Sequence, residues 1–187
     1  MIHSNRFIAV LDTNVIYPLT VRDILFWFAH EELYTVKWSQ HIFDEWRNVM
    51  DRKGVDQDEI DKRVDTANQA FPDALVRNYE SLIETLELPD ENDRHVLAAA
   101  IKTNANVIVT NNLKDFPDEY LSTFELYAIS ADDFLTDTID LNPEVAIKAF
   151  RKMVLNRKDP DLDEFRVLNM LRKNGLKNAA DYLHSQL

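Results

Sequence analysis

Several features are absent from this chain of 187 residues. It contains no cysteine, which excludes disulfides, thiolate metal sites such as zinc fingers, and cysteine nucleophiles. Its longest apolar run, ILFWFA, is far shorter than the roughly 20 residues that a membrane-spanning helix needs. The N-terminal segment MIHSNRFIAVLDTNV has too few apolar residues for a signal peptide. We therefore expect a cytoplasmic protein that does not contact a membrane.

Positive charge is also scarce, with 21 Lys and Arg against 33 Asp and Glu and a net charge of −12. This balance argues against a protein that binds nucleic acid over a broad surface, because such proteins neutralise phosphates with clustered cations. The charge is unevenly distributed: residues 1–142 hold 12 basic and 27 acidic side chains, whereas residues 143–187 hold 9 and 6. The basic C-terminal part is suited to contact phosphates or an acidic protein partner.

The N-terminal two thirds of the chain alternate between two hydrophobic patterns. Short apolar runs rich in β-forming residues predict strands at 7–11, 34–38, 107–110 and 126–129, with helical patterns between them. The charged segment 56–70 has few apolar residues and is predicted to be an exposed helix. Strands that alternate with helices form right-handed parallel crossovers. The sequence therefore predicts a three-layer α/β/α sandwich with a central parallel sheet.

No strand pattern remains after residue 130. Pro143, Pro160 and Gly175 divide the rest of the chain into about three predicted helices. We therefore predict an α/β domain over residues 1–135 and a helical C-terminal subdomain over residues 136–187. An apolar content of 45% is sufficient for a core of this size.

Acidic and amide side chains fall at corresponding places in the predicted α/β domain. Asp12 comes directly after the first strand, and Asn112 and Asp115 follow another strand. Asp93 lies in the first turn of its predicted helix, and Glu45 lies about two turns into another. The carboxyl ends of parallel strands and the N-terminal turns of the crossover helices meet at one edge of a sheet. We therefore expect these side chains to converge.

Carboxylates held close together repel one another unless protons or hard cations compensate their charge. Mg²⁺ or Mn²⁺ fits such a site, because both prefer oxygen ligands. Such a cation makes water a usable nucleophile near neutral pH and stabilises charge on a phosphoryl oxygen. The predicted reaction is hydrolysis of a phosphodiester.

Three motifs together resemble a PIN domain, over about residues 7–130: LDTNV at 11–15, LPDENDRHVLAAA at 88–100 and VIVTNNLKDFP at 107–117. The branch that they resemble most includes the VapC-type toxins. The resemblance implies an endoribonuclease that cuts RNA with Mg²⁺ or Mn²⁺ and is the toxin of a toxin–antitoxin pair. It also implies a homodimer and a cognate antitoxin protein that silences the activity. A haloacid-type phosphatase is discounted, because Asn14 stands where that family needs a second aspartate.

The resemblance assigns roles to individual side chains. The implied catalytic residues are Asp12, Glu45, Asp93 and Asp115, and the implied metal ligands are Asp12, Asp93, Asn112 and Asp115. Asp44, next to Glu45, is an alternative for the second acid. The family often has an aspartate where Asn112 stands, so either three acids form the site or Asp115 completes it. The supporting residues are Thr13, Asn14, Ser39 and Thr110, and the candidate RNA contacts are Arg94 and Lys114.

Two rival interpretations stay open at the level of sequence. In the first, Asn112 weakens the site, and the chain is a PIN-fold module with little or no catalysis that acts by binding RNA or a protein. In the second, the chain is an interaction protein that acts through its basic C-terminal helices. His95, next to the DR pair of the second motif, is predicted to have a structural role.

Overall fold

The central element of the fold is a parallel sheet. A computed structural model of the protein describes residues 7–157 and 162–187. In this part of the chain the strands are β1 (Ile8–Leu11), β2 (Thr35–Ser39), β3 (Leu75–Val76), β4 (Val107–Val109) and β5 (Tyr127–Ile129). They are all parallel, in the order β3-β2-β1-β4-β5. This sheet confirms the predicted α/β fold class.

Helices of the α/β region cover the sheet. They are α1 (Thr13–Ile16), α2 (Leu19–His30), α3 (Gln40–Arg52), α4 (Gln57–Ala70), α5 (Glu80–Ile83), α6 (Arg94–Lys102) and α7 (Asp118–Leu121). Helix α6 packs on β1, β2 and β4, while α2 and α3 both contact β2. Every residue of β4 is buried, as expected for a parallel strand with helices on both of its faces.

The C-terminal region is helical. It contains α8 (Ala131–Leu141), α9 (Pro143–Leu155), α10 (Glu164–Lys173) and α11 (Lys177–Gln186). Helix α9 packs on α2, and α11 packs on α8 and α10. Pro143 begins α9, and Gly175 follows α10 with a φ of +86°, which favours glycine. Pro160 lies outside the described residues, and the domain boundary at 135/136 stays a prediction.

Two local predictions need correction. Strand β3 was not predicted, because its two residues are too few to give a periodic pattern. Helix α4 is not fully exposed: Ile60, Val64 and Ala67 are buried on the face that packs against α3. These residues are spaced three and four apart, so they lie on one side of the helix. Within the two described ranges, no helix is long and apolar enough to cross a membrane.

The strand order fixes where a ligand can bind. The chain runs from β1 outward to β2 and β3, and then returns to the other side of β1 to form β4 and β5. The direction of progress therefore changes between β1 and β4. In open parallel sheets, ligands bind in the crevice beyond the carboxyl ends of strands at such a point. Asp12 and Thr110 are the residues that follow these two strands.

Candidate metal-binding site

Asp12 is held rigidly at the end of β1. It is 4% exposed, and its backbone N–H donates to the carbonyl of Val109 at 3.1 Å. Its Oδ1 accepts from the Thr13 N–H at 2.6 Å, and its Oδ2 accepts from the Thr110 hydroxyl at 2.7 Å and from the Asn14 amide. A carboxylate has about four acceptor positions, so these three donors leave about one for a cation. Burial raises the pKa of Asp12, although the hydrogen bonds from Thr110 and Thr13 oppose this rise.

Glu45 is the acid of α3 that faces Asp12. Its Oε2 accepts from the Thr13 hydroxyl, and its Oε1 lies 2.9 Å from His95 Nε2. Burial alone would raise the pKa of Glu45, but the hydrogen bonds to His95 and Thr13 hold it below its usual value. The neighbouring Asp44 is exposed and accepts from the side chain of Gln40 at 2.8 Å. Of these two adjacent acids, the structure brings Glu45 to the site.

Asp93 lies at the centre of a second group of acids. It ends a 3₁₀ turn (Glu91–Asp93) that precedes α6, and its carboxylate lies near those of Asp90 and Asp115, with ligand atoms within 4.8 Å of one another. Burial raises the pKa of Asp93 to about 7, and the negative charges of Asp12, Asp90, Asp115 and Glu45 contribute to this rise. The carboxylate therefore needs a proton or a cation at neutral pH.

Asn112 connects these acids through its amide. Its Nδ2 donates to Asp115 Oδ2 and, at 3.5 Å, to Asp93 Oδ2. In this arrangement the amide nitrogen faces the two carboxylates, and the role of Asn112 as a metal ligand stays a prediction. The turn that precedes Asn112 is hydrogen-bonded to the motif that contains Asp12. Asn14 donates to Thr110 Oγ1 at 2.8 Å and accepts from the Asn111 N–H at 2.9 Å.

The three principal acids line one cavity of about 450 Å³. Its lining residues are Asp12, Thr13, Asn14, Tyr17, Glu45, Asn48, Val49, Arg52 and Asp93. Asp93 is thus shared between the cavity and the group formed with Asp90 and Asp115. Hard oxygen donors with mutual repulsion are the chemistry that Mg²⁺ or Mn²⁺ requires, so the residues fit such an ion.

Three further predicted residues, Ser39, Arg94 and Lys114, do not line this cavity. Ser39 is fully buried and caps α3, where its hydroxyl accepts from the Ile42 N–H at 3.3 Å. It therefore acts on the helix that carries Glu45. Arg94 forms an ion pair with Glu91 at 3.0 Å, and Lys114 is exposed. Among the described residues, neither Arg94 nor Lys114 lines the cavity.

Sequence reasoning missed Asp90. Its Oδ1 accepts from the Asn92 N–H at 2.9 Å, which caps the 3₁₀ turn before α6. An aspartate two residues before an N–H donor is a known turn signal, so the pattern Asp-Glu-Asn-Asp could have indicated this cap but not the position of Asp90 at the site. The motif contains three acids, and nothing in the sequence indicates which of the first two lies beside Asp93.

Sequence reasoning also missed a histidine pair behind Glu45. His95 is 6% exposed, and its ring stacks on that of His41 with centroids 5.3 Å apart. The other nitrogen of His95, Nδ1, is buried and has no hydrogen-bond partner among the described residues, while His41 Nδ1 bonds to the Tyr79 hydroxyl at 2.5 Å. The structural role predicted for His95 therefore omitted its bond to Glu45. His41 and Glu45 lie four residues apart on α3, but His95 lies on α6 and Tyr79 just before α5, so no local sequence pattern connects the histidine pair.

Comparison with known proteins identifies the family of this chain. Residues 8–114, more than half of the chain, match the family model described as PIN domain. The chain belongs to the PIN-domain family. Its PIN domain match contains Asp12, Glu45, Asp93 and Asn112, while Asp115 lies one residue beyond the matched range. Residues 131–185, which include helices α8 to α11 up to residue 185, match the model described as VapC50 C-terminal domain.

The chain is similar to a curated protein of Mycobacterium tuberculosis (strain ATCC 25618 / H37Rv) that is named "Putative ribonuclease VapC50". The two proteins are 38% identical over 110 residues, which is 57% of this chain and 64% of the relative. The match thus spans less than two thirds of the length of that relative. No solved structure matches the chain. The predicted resemblance to the PIN-domain family and its VapC branch is confirmed.

Proposed function

We propose that this PIN-domain protein is a metal-dependent endoribonuclease that hydrolyses RNA phosphodiester bonds. The observation that carries the proposal is the convergence of Asp12, Glu45 and Asp93 on one cavity, with Asp115 beside Asp93. Because one fold can host unrelated activities, RNA as the substrate is supported separately, by the relative whose name contains "ribonuclease".

In this proposal the acids have different tasks. Asp12, Asp93 and Asp115 hold Mg²⁺ or Mn²⁺, with Asn112 beside them. The bound cation supplies Lewis acidity, which lowers the pKa of water and stabilises charge on the phosphoryl oxygens. Glu45 is kept ionised by His95 and Thr13, so it can accept a proton from the attacking water. Thr110 and Asn14 hold the Asp12 carboxylate in its orientation by donating to Oδ2.

The match to the VapC50 C-terminal domain supports a further step of the proposal, that the chain is the toxin of a toxin–antitoxin pair. Such a protein acts in the cytoplasm, forms a homodimer and is inhibited by a cognate antitoxin protein. We expect a neighbouring gene to encode a small protein that co-purifies with this chain and suppresses RNA cleavage. Co-purification without any suppression would contradict the toxin role.

The central test measures cleavage of a mixed RNA pool by the wild-type chain with Mg²⁺ or Mn²⁺, and again with EDTA. Cleavage is expected with either cation and not with the chelator. Asp12→Asn and Glu45→Gln should each lower the rate at least about 100-fold, since each removes a charged group from the site. Asp44→Asn is the matched control, because this neighbouring acid bonds to Gln40 and should leave the rate unchanged. Cleavage that persists with EDTA, or equal loss in Asp44→Asn, would overturn the mechanism.

The orientation of Asn112 motivates one rival function, a PIN module that binds RNA or a protein without cutting. Its amide nitrogen donates to both Asp93 and Asp115 and so occupies oxygens that a cation would use. Calorimetric titration with Mn²⁺ separates the two functions. The nuclease proposal predicts specific uptake by the wild-type chain, whereas the rival predicts uptake only in Asn112→Asp.

A further inference from the structure

A cation extends the cavity beyond its carboxylates. Arg52 lies at the end of α3, is exposed and lines the same cavity as Asp12, Glu45 and Asp93. Its Nε donates to the Asn48 carbonyl at 3.2 Å, and within residues 7–157 and 162–187 it forms no ion pair. Among the described residues the terminal guanidinium nitrogens of Arg52 thus have no hydrogen-bond or ion-pair partner, beside a cavity that is otherwise lined by three acids.

The spacing on α3 makes this position specific. Glu45, Asn48, Val49 and Arg52 are three, four and seven residues apart, so they share one face of the helix. The distance from Glu45 to Arg52 along the helix axis is roughly 10 Å. The core-facing residues Phe43, Trp46 and Met50 occupy another side. Glu45, Asn48 and Arg52 thus form a polar stripe that leads from the candidate catalytic acids to a guanidinium without an ion pair in the described ranges.

An aromatic residue from another segment of the chain lines the same cavity. Tyr17 follows the single turn α1, is half-buried and packs one side against the core. Trp38 and Trp46 are almost fully buried, so they offer no face to a ligand. Two other cations on or near α3 are engaged: Arg47 is paired with Asp61, and Arg22 lies over the Trp46 ring with its terminal nitrogen bonded to the Ile16 carbonyl.

We propose that Arg52 and Tyr17 form a nucleotide-binding subsite next to the carboxylates, in which Arg52 binds a backbone phosphate of single-stranded RNA and Tyr17 stacks on a base. The inference rests on the proposed ribonuclease function and specifies how the substrate is held. Guanidinium groups bind phosphate through several N–H donors, and aromatic faces bind unpaired bases with little sequence preference. Arg52 and Tyr17 thus add to Arg94 and Lys114, whose role as RNA contacts stays a prediction.

The strongest test compares two adjacent cations. Arg52→Gln and Lys53→Gln remove the same charge from neighbouring positions, but among these two only Arg52 lines the cavity. Binding of a labelled single-stranded RNA is measured in the Asp12→Asn chain, which is expected to cut RNA at least about 100-fold more slowly. Arg52→Gln should weaken binding about tenfold and reduce the slope of log K against log salt by about 0.7, as expected for one lost phosphate contact. Lys53→Gln should change neither quantity by a comparable amount.

The stacking role has its own conservative variant. Tyr17→Leu should weaken RNA binding at least about fivefold, because it removes the aromatic face, whereas Tyr17→Phe should retain binding. When Arg52→Gln is made in the active chain, with the native Asp12, it should raise KM with little change in kcat. Thermal unfolding of each variant verifies that the fold is intact.

Two kinds of failure are distinguishable. If the wild-type chain cuts no RNA with either cation, the proposed function fails. The binding comparison of Arg52→Gln with Lys53→Gln still tests the subsite. Equal weakening by Arg52→Gln and Lys53→Gln would show a general charge effect and would overturn the inference. So would the absence of RNA binding to the Asp12→Asn chain at low salt, or an unchanged affinity in Tyr17→Leu.

Discussion

The two regions of this chain have opposite charge and differently composed interiors. Residues 1–142 carry a net charge of −15 and residues 143–187 a net charge of +3. Among the described residues, the buried polar side chains lie almost entirely in the α/β region, at or near the site, as with Asp12, Ser39, His95 and Thr110. The interior of the helices after residue 142 is apolar, with Phe150, Leu168 and Leu171 fully buried. The first region therefore carries the groups that repel one another, while the second adds packing that stabilises the chain.

The comparison predicts that removing a repelling acid of the site stabilises the chain, whereas removing a buried apolar side chain of the C-terminal helices destabilises it. Phe150→Ala should have the largest effect, because it leaves a cavity where α9 packs against its neighbours. It should lower the free energy of unfolding by about 3–5 kcal/mol. Denaturant unfolding measures the loss. Leu155, on the same helix and 81% exposed, provides the control, since Leu155→Ala should change stability by less than about 0.5 kcal/mol. Equal effects of the two variants would refute the packing of α9 described above.

His95 should affect activity far more than stability. His95→Leu removes the bond that orients Glu45, and loss of a group that orients a site residue typically lowers activity about 10-fold to 100-fold. Its cost in stability should be small, because Nδ1 of the native ring is buried without a partner among the described residues. RNA cleavage and thermal unfolding are measured on the same samples. His95→Gln, which retains an amide donor, should restore part of kcat; an unchanged kcat in His95→Leu would exclude the positioning role.

Asp93 should be destabilising in the metal-free chain. Its pKa is raised from 3.8 to about 7, so between these values the folded chain keeps a proton that the unfolded chain has lost. With respect to this carboxyl, the folded chain is therefore most stable below about pH 4. This stability is lost as the pH rises through about 7 and the carboxyl ionises. Asp93→Asn should therefore stabilise the chain in EDTA above pH 7, by about 1 kcal/mol, since solvent screens this half-exposed carboxyl.

Thermal unfolding at two pH values checks this expectation, because 1 kcal/mol shifts the midpoint by about 2–4 °C in a chain of this size. The difference between Asp93→Asn and the wild type should vanish at acidic pH. Added Mn²⁺ should stabilise the wild type but not the variant. Asp44→Asn, an exposed acid on α3, should behave as the wild type in both respects. A variant less stable than the wild type in EDTA would contradict the repulsion on which the site depends.

The parts of the structure that the sequence predicted are those set by periodicity and topology. The predicted strands at 7–11 and 107–110 coincide with β1 and β4. Asp12 and Asn112 follow these strands, as predicted. Their convergence required only parallel strands and short crossovers, because these place all carboxyl ends at one edge. The same reasoning brought Asp93, at the start of a crossover helix, to that edge.

The parts that it did not predict depend on side-chain directions. The stack of His41 on His95 joins residues 54 positions apart, and the choice of Glu45 over Asp44 depends on how α3 rotates against its neighbours. Arg52 was not among the predicted contacts, because a charged residue at a helix end has the same pattern whether it faces solvent or a cavity. These relations arise from tertiary packing, which no local pattern in a single sequence contains.

The smallest expected effect concerns the contact between the two regions. Glu31, after α2, accepts from Lys148 and Lys152 of α9 at 2.8 and 2.6 Å, and the hydrogen bonds from these lysines lower the pKa of Glu31 to about 2. Glu31→Gln should cost at most about 1 kcal/mol at neutral pH, because both lysines are exposed enough for water and salt to screen the pairs.

The pH dependence separates this ion-pair contribution from packing. A carboxyl with a lowered pKa stabilises the folded chain above its unfolded value of about 4.5, and this contribution is lost as the pH falls towards about 2. The stability difference between Glu31→Gln and the wild type should therefore be constant above about pH 5 and shrink in acid and in high salt. Glu87→Gln, at an exposed glutamate without an ion pair in the described ranges, should show no such difference. A deficit in Glu31→Gln that persists in acid would mean that packing of α2 on α9, and not opposite charge, holds the acidic and basic regions together at this contact.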